Sequence, residues 1–188
     1  MTFLRTGAML GALAVSGLAH AQADAGAAFF AGLGALCGSY FEGASVYPRD
    51  PGDPFAGKKL VAHVASCTAN EIRIPFTVGE DKSRTWIIRK TPAGLELKHD
   101  HRHEDGTPDA QTMYGGLAGG QGTALAQSFH ADAYTAALIP AAATNVWTIS
   151  LAADGRAMAY NLERGGKPRF RAELALRASP PPPSAPRR

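Results

Sequence analysis

Residues 71–103 read EIRIPFTVGEDKSRTWIIRKTPAGLELKHDHRH, and three segments of this stretch alternate apolar with polar residues. A period of two is typical of β-strands that bury one face, so we predict strands over residues 71–78, 84–90 and 95–103. The Thr-Pro-Ala-Gly sequence at 91–94 favours a tight turn. Strands joined this closely should be antiparallel neighbours.

The same pattern continues on both sides of this stretch. Further strands are predicted over residues 39–47, 59–66, 111–114, 123–129, 145–151, 157–163 and 169–176. Only residues 131–143 have a helical pattern, which Pro140 interrupts. We therefore predict an all-β, mainly antiparallel fold: a calycin-like up-and-down β-barrel of about 8–10 strands with one short helix, because closure removes exposed edges. A β-sandwich is the alternative.

Both ends of the chain differ in composition from the middle. A basic residue at Arg5, an apolar run over residues 6–19 and the Ala-His-Ala sequence at 19–21 are typical of a secretory signal peptide, predicted over residues 1–21. Residues 22–33 should form a flexible lead-in, in which one helical turn around residues 27–36 is allowed, and 34–177 a single barrel domain. The proline-rich residues 178–188 should form a disordered tail.

The chain contains two cysteines, Cys37 and Cys67. A signal peptide directs the protein to the periplasm or the cell exterior, where oxidising conditions favour a disulfide between them. Two buried thiols are the alternative, and the absence of a CxxC motif argues against a cysteine-based metal site.

The charge distribution limits the classes of partner. The formal net charge is +3, and charges of both signs are interspersed. This pattern lacks the concentrated basic surface of nucleic-acid-binding proteins, so no nucleic acid is expected as a partner. The apolar run at 6–19 is shorter than the roughly 20 residues that a membrane span needs. A small-molecule ligand remains the expected partner.

The segment KHDHRHEDG at 98–106 places His99, His101 and His103 at every second position. On a strand, all three imidazoles would share the face of Leu95 and Leu97, which is predicted to be the interior. They are candidate ligand-binding residues, although they could instead form hydrogen bonds that simply fill the barrel.

Two of these histidines could also bind a divalent metal ion such as zinc or copper. A pair at i and i+2 is close enough for both imidazoles to reach one ion. His99 and His101, with His63 from another strand as the third ligand, form the predicted metal site, and His130 is the alternative third ligand. Imidazole also suits acid–base catalysis, but GxSxG and HExxH motifs are absent and no catalytic residue is assigned.

Trp86 and Tyr114 complete the predicted ligand-binding set. Trp86 occupies an apolar position of its strand, and Tyr114 precedes a glycine-rich stretch that could line the mouth of a barrel. The nearby Arg73, Arg84 and Arg89 could bind an anion, but we expect them to be surface charges.

The segment at 98–106, together with EIRIPFTVGEDKSRTWIIRK at 71–90 and TNVWTISL at 144–151, resembles a group of small secreted proteobacterial proteins to which no activity is assigned. The resemblance implies secretion and a shared domain, and it gives no residue a role. The sequence therefore predicts a secreted or periplasmic binding barrel for a small ligand or metal ion in preference to an enzyme. The alternatives are a histidine-based or metal-dependent enzyme and an envelope protein-interaction module.

Overall fold

The structure, a computed structural model, describes residues 25–48 and 52–177. It contains one antiparallel sheet in which ten strands follow one another and an eleventh, short strand pairs at the side. The strands are β1 (Tyr40–Tyr47), β2 (Leu60–His63), β3 (Ser66–Cys67), β4 (Glu71–Val78), β5 (Asp81–Thr91), β6 (Gly94–His101), β7 (Tyr114–Leu117), β8 (Ala126–His130), β9 (Asn145–Leu151), β10 (Ala157–Arg164) and β11 (Lys167–Leu176). The helices are α1 (residues 25–34) and α2 (Ala133–Leu138), followed by a 3-10 turn at Pro140–Ala142.

The order of the strands is that of an up-and-down barrel. The short β3 pairs only with β4. Leaving it out, each strand from β1 to β7 and from β8 to β11 pairs with the next in sequence, and β11 returns to pair with β1. The sheet is nearly closed, since the two strands at the ends of the path, β7 and β8, meet through a single bridge between Ala118 and Phe129. The predicted antiparallel barrel with a short helix is confirmed.

Strand β7 differs from its prediction. A strand was expected at residues 111–114, but it runs from Tyr114 to Leu117 and includes two glycines. A Cβ atom on Gly116 would lie 1.8 Å from the carbonyl oxygen of His130 in β8, and one on Gly115 would lie 1.9 Å from the carbonyl oxygen of Leu97 in β6. These glycines therefore allow β7 to approach both neighbouring strands, which is why residues expected to form a loop belong to the sheet.

The two ends of the barrel are different. We call the end with the β5–β6 turn the closed end, because α1 packs there. Phe29, Phe30 and Leu33 of α1 are buried in the core, and the Lys90 ammonium lies 4.5 Å from the centre of the Phe30 ring. The opposite end, where β6 ends and β7 begins, is called the open end.

Helix α1 is longer than the one helical turn allowed around residues 27–36, and since residues 25–34 are helical, it takes the place of most of the flexible lead-in predicted over residues 22–33. Three glycines in residues 25–34 weaken the intrinsic helix propensity. Burial of Phe29, Phe30 and Leu33 at the barrel end supplies the stabilisation that the local sequence lacks.

A disulfide joins Cys37, just after α1, to Cys67 in β3, with 6.2 Å between the Cα atoms. The predicted bridge is confirmed, and it ties the end of the helix to the sheet. Within the described part of the chain, no helix has both the length and the apolar character to cross a membrane. The predicted signal peptide (1–21) and tail (178–188) lie outside the described residues.

The closure at Gly116 can be tested by Gly116→Ala. The added methyl group would meet the His130 carbonyl at 1.8 Å, so β7 or β8 must move, and we expect the free energy of unfolding to fall by about 3 kcal/mol. Gly120→Ala is the matched control, because a Cβ there meets nothing within 4 Å. Urea unfolding measures both variants. Equal stability of the two would show that the close approach is unimportant.

Candidate functional site

A cavity of about 450 Å³ occupies the interior of the barrel at its open end. Side chains of seven strands and of the 3-10 turn line it, together with residues of the loops that cover this end. The lining residues are Phe55, Phe76, Arg84, Trp86, His99, His101, Asp109, Gln111, Tyr114, Ile139, Ala142, Asn145, Trp147, Tyr160, Leu162, Arg164 and Phe170. Most are apolar or aromatic, and a few polar groups converge on the cavity, as is typical of small-molecule sites.

Strand alternation places these side chains in the interior. On β5, Arg84 and Trp86 share a face with the buried Ile88. Register pairs then set them beside their neighbours: Trp86 lies opposite His99, and Arg84 lies opposite His101. The charged or polar member of each strand is nearer the open end, so the cavity is polar at its mouth and aromatic below it.

His99 is the most deeply buried polar group of the cavity, with 2% of its surface exposed. Its Nδ1 lies 3.2 Å from the carbonyl oxygen of Tyr114, and its Nε2 lies 2.7 Å from the hydroxyl of Tyr160. Because a carbonyl only accepts, Nδ1 carries the hydrogen and the Tyr160 hydroxyl donates to Nε2. Burial lowers the pKa of His99 to about 3 and raises the pKa of Tyr160 well above its usual value. Both groups are therefore neutral at physiological pH.

A second tyrosine–histidine pair lies above the first. The Tyr114 hydroxyl is 3.1 Å from Nε2 of His101. Burial, followed by the nearby charge of Arg84, lowers the pKa of His101, and burial raises the pKa of Tyr114 to about 12. Met113, just before Tyr114, has a φ of 57°, which is uncommon outside glycine and marks a sharp turn into β7.

The aromatic rings form two stacks. Trp86 lies between Phe76 and Tyr160, with 4.4 Å between ring centres on each side. The His99 ring stacks on Tyr114 at 4.6 Å, and its hydrogen bond to Tyr160 joins the two stacks. Packed rings that are also hydrogen-bonded have little freedom to rearrange, so the floor of the cavity is preformed.

Two arginines lie at the mouth of the cavity. Arg84 forms an ion pair with Asp81, and its guanidinium carbon is 5.7 Å from the centre of the Phe55 ring. The Nε of Arg164 donates a 2.8 Å hydrogen bond to Oδ1 of Asn145, which is 4% exposed. The mouth also contains one carboxylate, that of Asp109.

The structure brings four of the five predicted ligand-binding residues together: His99, His101, Trp86 and Tyr114. The fifth, His103, is exposed beyond the end of β6, in a turn where its backbone pairs with Thr107. The expectation that all three histidines share the interior face is therefore wrong for His103, because the strand stops at His101.

The predicted metal site is also corrected. His63 lies at the closed-end terminus of β2, where its ring stacks on Tyr40 at 3.8 Å, so it does not join His99 and His101 at the open end. No group of three or more His, Cys, Asp or Glu side chains suited to a metal ion occurs in residues 25–48 and 52–177. The two histidines instead bond to tyrosines.

Of the two arginines of the mouth, Arg164 is given no role by the sequence, and Arg84 is considered for anion binding only as the less favoured alternative. Arg84 was expected at the surface with Arg73 and Arg89, which do form ion pairs with Glu71. The alternation along the strands could have identified both arginines. Arg84 lies on the same strand face as Trp86, and Arg164 lies on the same strand face as Tyr160. Neither a family model nor a curated protein nor a solved structure matches this chain, so we infer its function from the geometry of the cavity.

The neutral state of His99 predicts a pH dependence of stability. The folded pKa is about 3 and the ordinary value is 6.5, so the unfolded chain binds a proton that the folded protein does not bind. The free energy of unfolding should therefore be highest above pH 6.5 and decrease as the pH falls toward 3. In His99→Gln this contribution disappears, and the slope of unfolding free energy against pH should decrease by up to ~1 kcal/mol per pH unit.

Urea unfolding at several pH values between 4 and 7 measures this slope. Leu97→Val is the control, because it removes buried apolar contacts on the same strand without removing a titrating group. It should lower the curve by a constant amount. If His99→Gln ran parallel to the wild type as well, His99 would not be the neutral buried group described above.

Proposed function

We propose that this protein binds a small, mainly apolar molecule inside its barrel, as a calycin-like binding protein of the periplasm or cell exterior. The single observation that carries the proposal is the cavity of about 450 Å³ at the open end, with aromatic walls and a few converging polar groups. Such a volume holds one small ligand and is smaller than the channel of a large barrel.

The contrast between the two ends of the barrel supports this function. At the closed end, the interior is filled by Phe29, Phe30 and Leu33 of α1. At the open end the corresponding space is lined by side chains and remains accessible. A few larger side chains in the lining would be enough to fill it. The aromatic floor is held by ring stacking and by the hydrogen bond from Tyr160 to His99, so binding requires little reorganisation.

Secretion remains part of the proposal. The signal-peptide pattern of residues 1–21 and the resemblance to small secreted proteobacterial proteins favour a compartment outside the cytoplasm. The Cys37–Cys67 disulfide supports the same compartment, because disulfides persist under oxidising conditions.

Binding can be tested with N-phenyl-1-naphthylamine, a small neutral aromatic dye that fluoresces in apolar surroundings. We expect saturable binding with one site per chain. Leu162→Trp places a larger side chain in the cavity and should weaken binding by about tenfold or more, because the dye and the indole would compete for the same space. Fluorescence titration measures both affinities.

Ala159→Trp is the matched control, since Ala159 neighbours Tyr160 on β10 but faces the outside of the barrel. It should bind the dye like the wild type. The proposal fails if the wild type binds no dye, or if the two tryptophan variants bind it equally well. Circular dichroism of both variants confirms that they are folded.

A further inference from the structure

We propose that the ligand of this cavity is a small aromatic molecule that carries one anionic group, and that Arg164 is the residue that binds this group. The inference rests on the proposed function, since it assigns the chemical class of the ligand in the same cavity. The geometry at the mouth carries it.

One hydrogen bond holds Arg164 in place, and its remaining N–H groups can donate to a ligand. Its Nε is bound to Oδ1 of Asn145 at 2.8 Å, and Asn145 itself is buried and lies opposite Arg164 in the β9–β10 register. This one bond orients the guanidinium and leaves its two terminal nitrogens for another partner. Among the described residues, no carboxylate forms an ion pair with Arg164.

The other charged groups of the mouth are already engaged. Arg84 forms an ion pair with Asp81, so its charge is balanced within the protein. The Asp109 carboxylate accepts the backbone N–H of Gln111 at 2.7 Å. Arg164 is therefore the group of the mouth best prepared for an anion, because a planar guanidinium with two free nitrogens suits carboxylate, sulfonate or phosphate oxygens.

The rest of the cavity selects the body of the ligand. Rings of Phe76, Trp86, Trp147 and Tyr160 line the space below Arg164. Aromatic walls favour flat, apolar rings. In each tyrosine–histidine pair the two side chains are hydrogen-bonded to one another, and burial favours their neutral forms, so the pairs place no charge beside the body of the ligand. An aromatic body below and one anionic group at the mouth match this distribution.

Two dyes with the same skeleton test the inference. 8-Anilinonaphthalene-1-sulfonate is N-phenyl-1-naphthylamine with one added sulfonate, so the ratio of their dissociation constants reports on the anionic group alone. In Arg164→Gln, we expect the sulfonate dye to bind about tenfold more weakly, which corresponds to one lost charge-assisted contact. The neutral dye should change by less than about twofold. Arg164→Lys, which keeps the charge, should recover part of the loss.

Arg156→Gln is the matched control, because it removes the same charge from an exposed turn at the closed end. It should leave both affinities unchanged. The inference is overturned if Arg164→Gln weakens both dyes equally or neither, while the neutral dye still binds in the cavity. If neither dye binds to the wild type, the proposed function itself fails, so the two failures are distinguishable.

Discussion

The close approach of β7 to β8 is the contact on which the barrel depends. These strands meet at the bridge between Ala118 and Phe129, and the absence of a side chain at Gly116 lets the His130 carbonyl come near. Closure here also positions the site, because the Tyr114 carbonyl of β7 holds His99 and the Tyr114 hydroxyl reaches His101. Without β7, His99 would lose its hydrogen bond to the Tyr114 carbonyl, and His101 would lose its hydrogen bond to the Tyr114 hydroxyl.

Closure of the sheet creates an interior, and the two ends of this interior are packed differently. Helix α1 fills the closed end with Phe29, Phe30 and Leu33, and the disulfide holds the chain just after the helix. At the open end the interior is lined by rings and crossed by hydrogen bonds. Because apolar burial stabilises the filled end, the other end can keep a cavity without loss of the whole core.

The charge state of each group in the cavity depends on how deeply that group is buried. His99 and Tyr160 are buried and hydrogen-bonded to each other, so each stays neutral, and the low pKa of His99 results from the cost of burying a charge. Among the described residues that line the cavity, the charged side chains are those of Arg84, Arg164 and Asp109, which lie at the mouth and are partly exposed. A neutral aromatic floor below a charged mouth favours a ligand with one polar end, in keeping with the proposed binding function.

The sequence by itself determined the antiparallel strands, the exact bounds of two of them and the disulfide. β4 and β9 have the predicted bounds, because alternation and turn residues are local signals, and only two cysteines are available. The tertiary structure alone decided where β6 stops, and thus that His103 is outside, and which distant side chains meet. The tertiary structure places His63 far from His99, buries the apolar side chains of α1 in the core and brings Arg164 to Asn145. Periodicity could not predict these contacts, because strand order and closure depend on residues far apart in the chain.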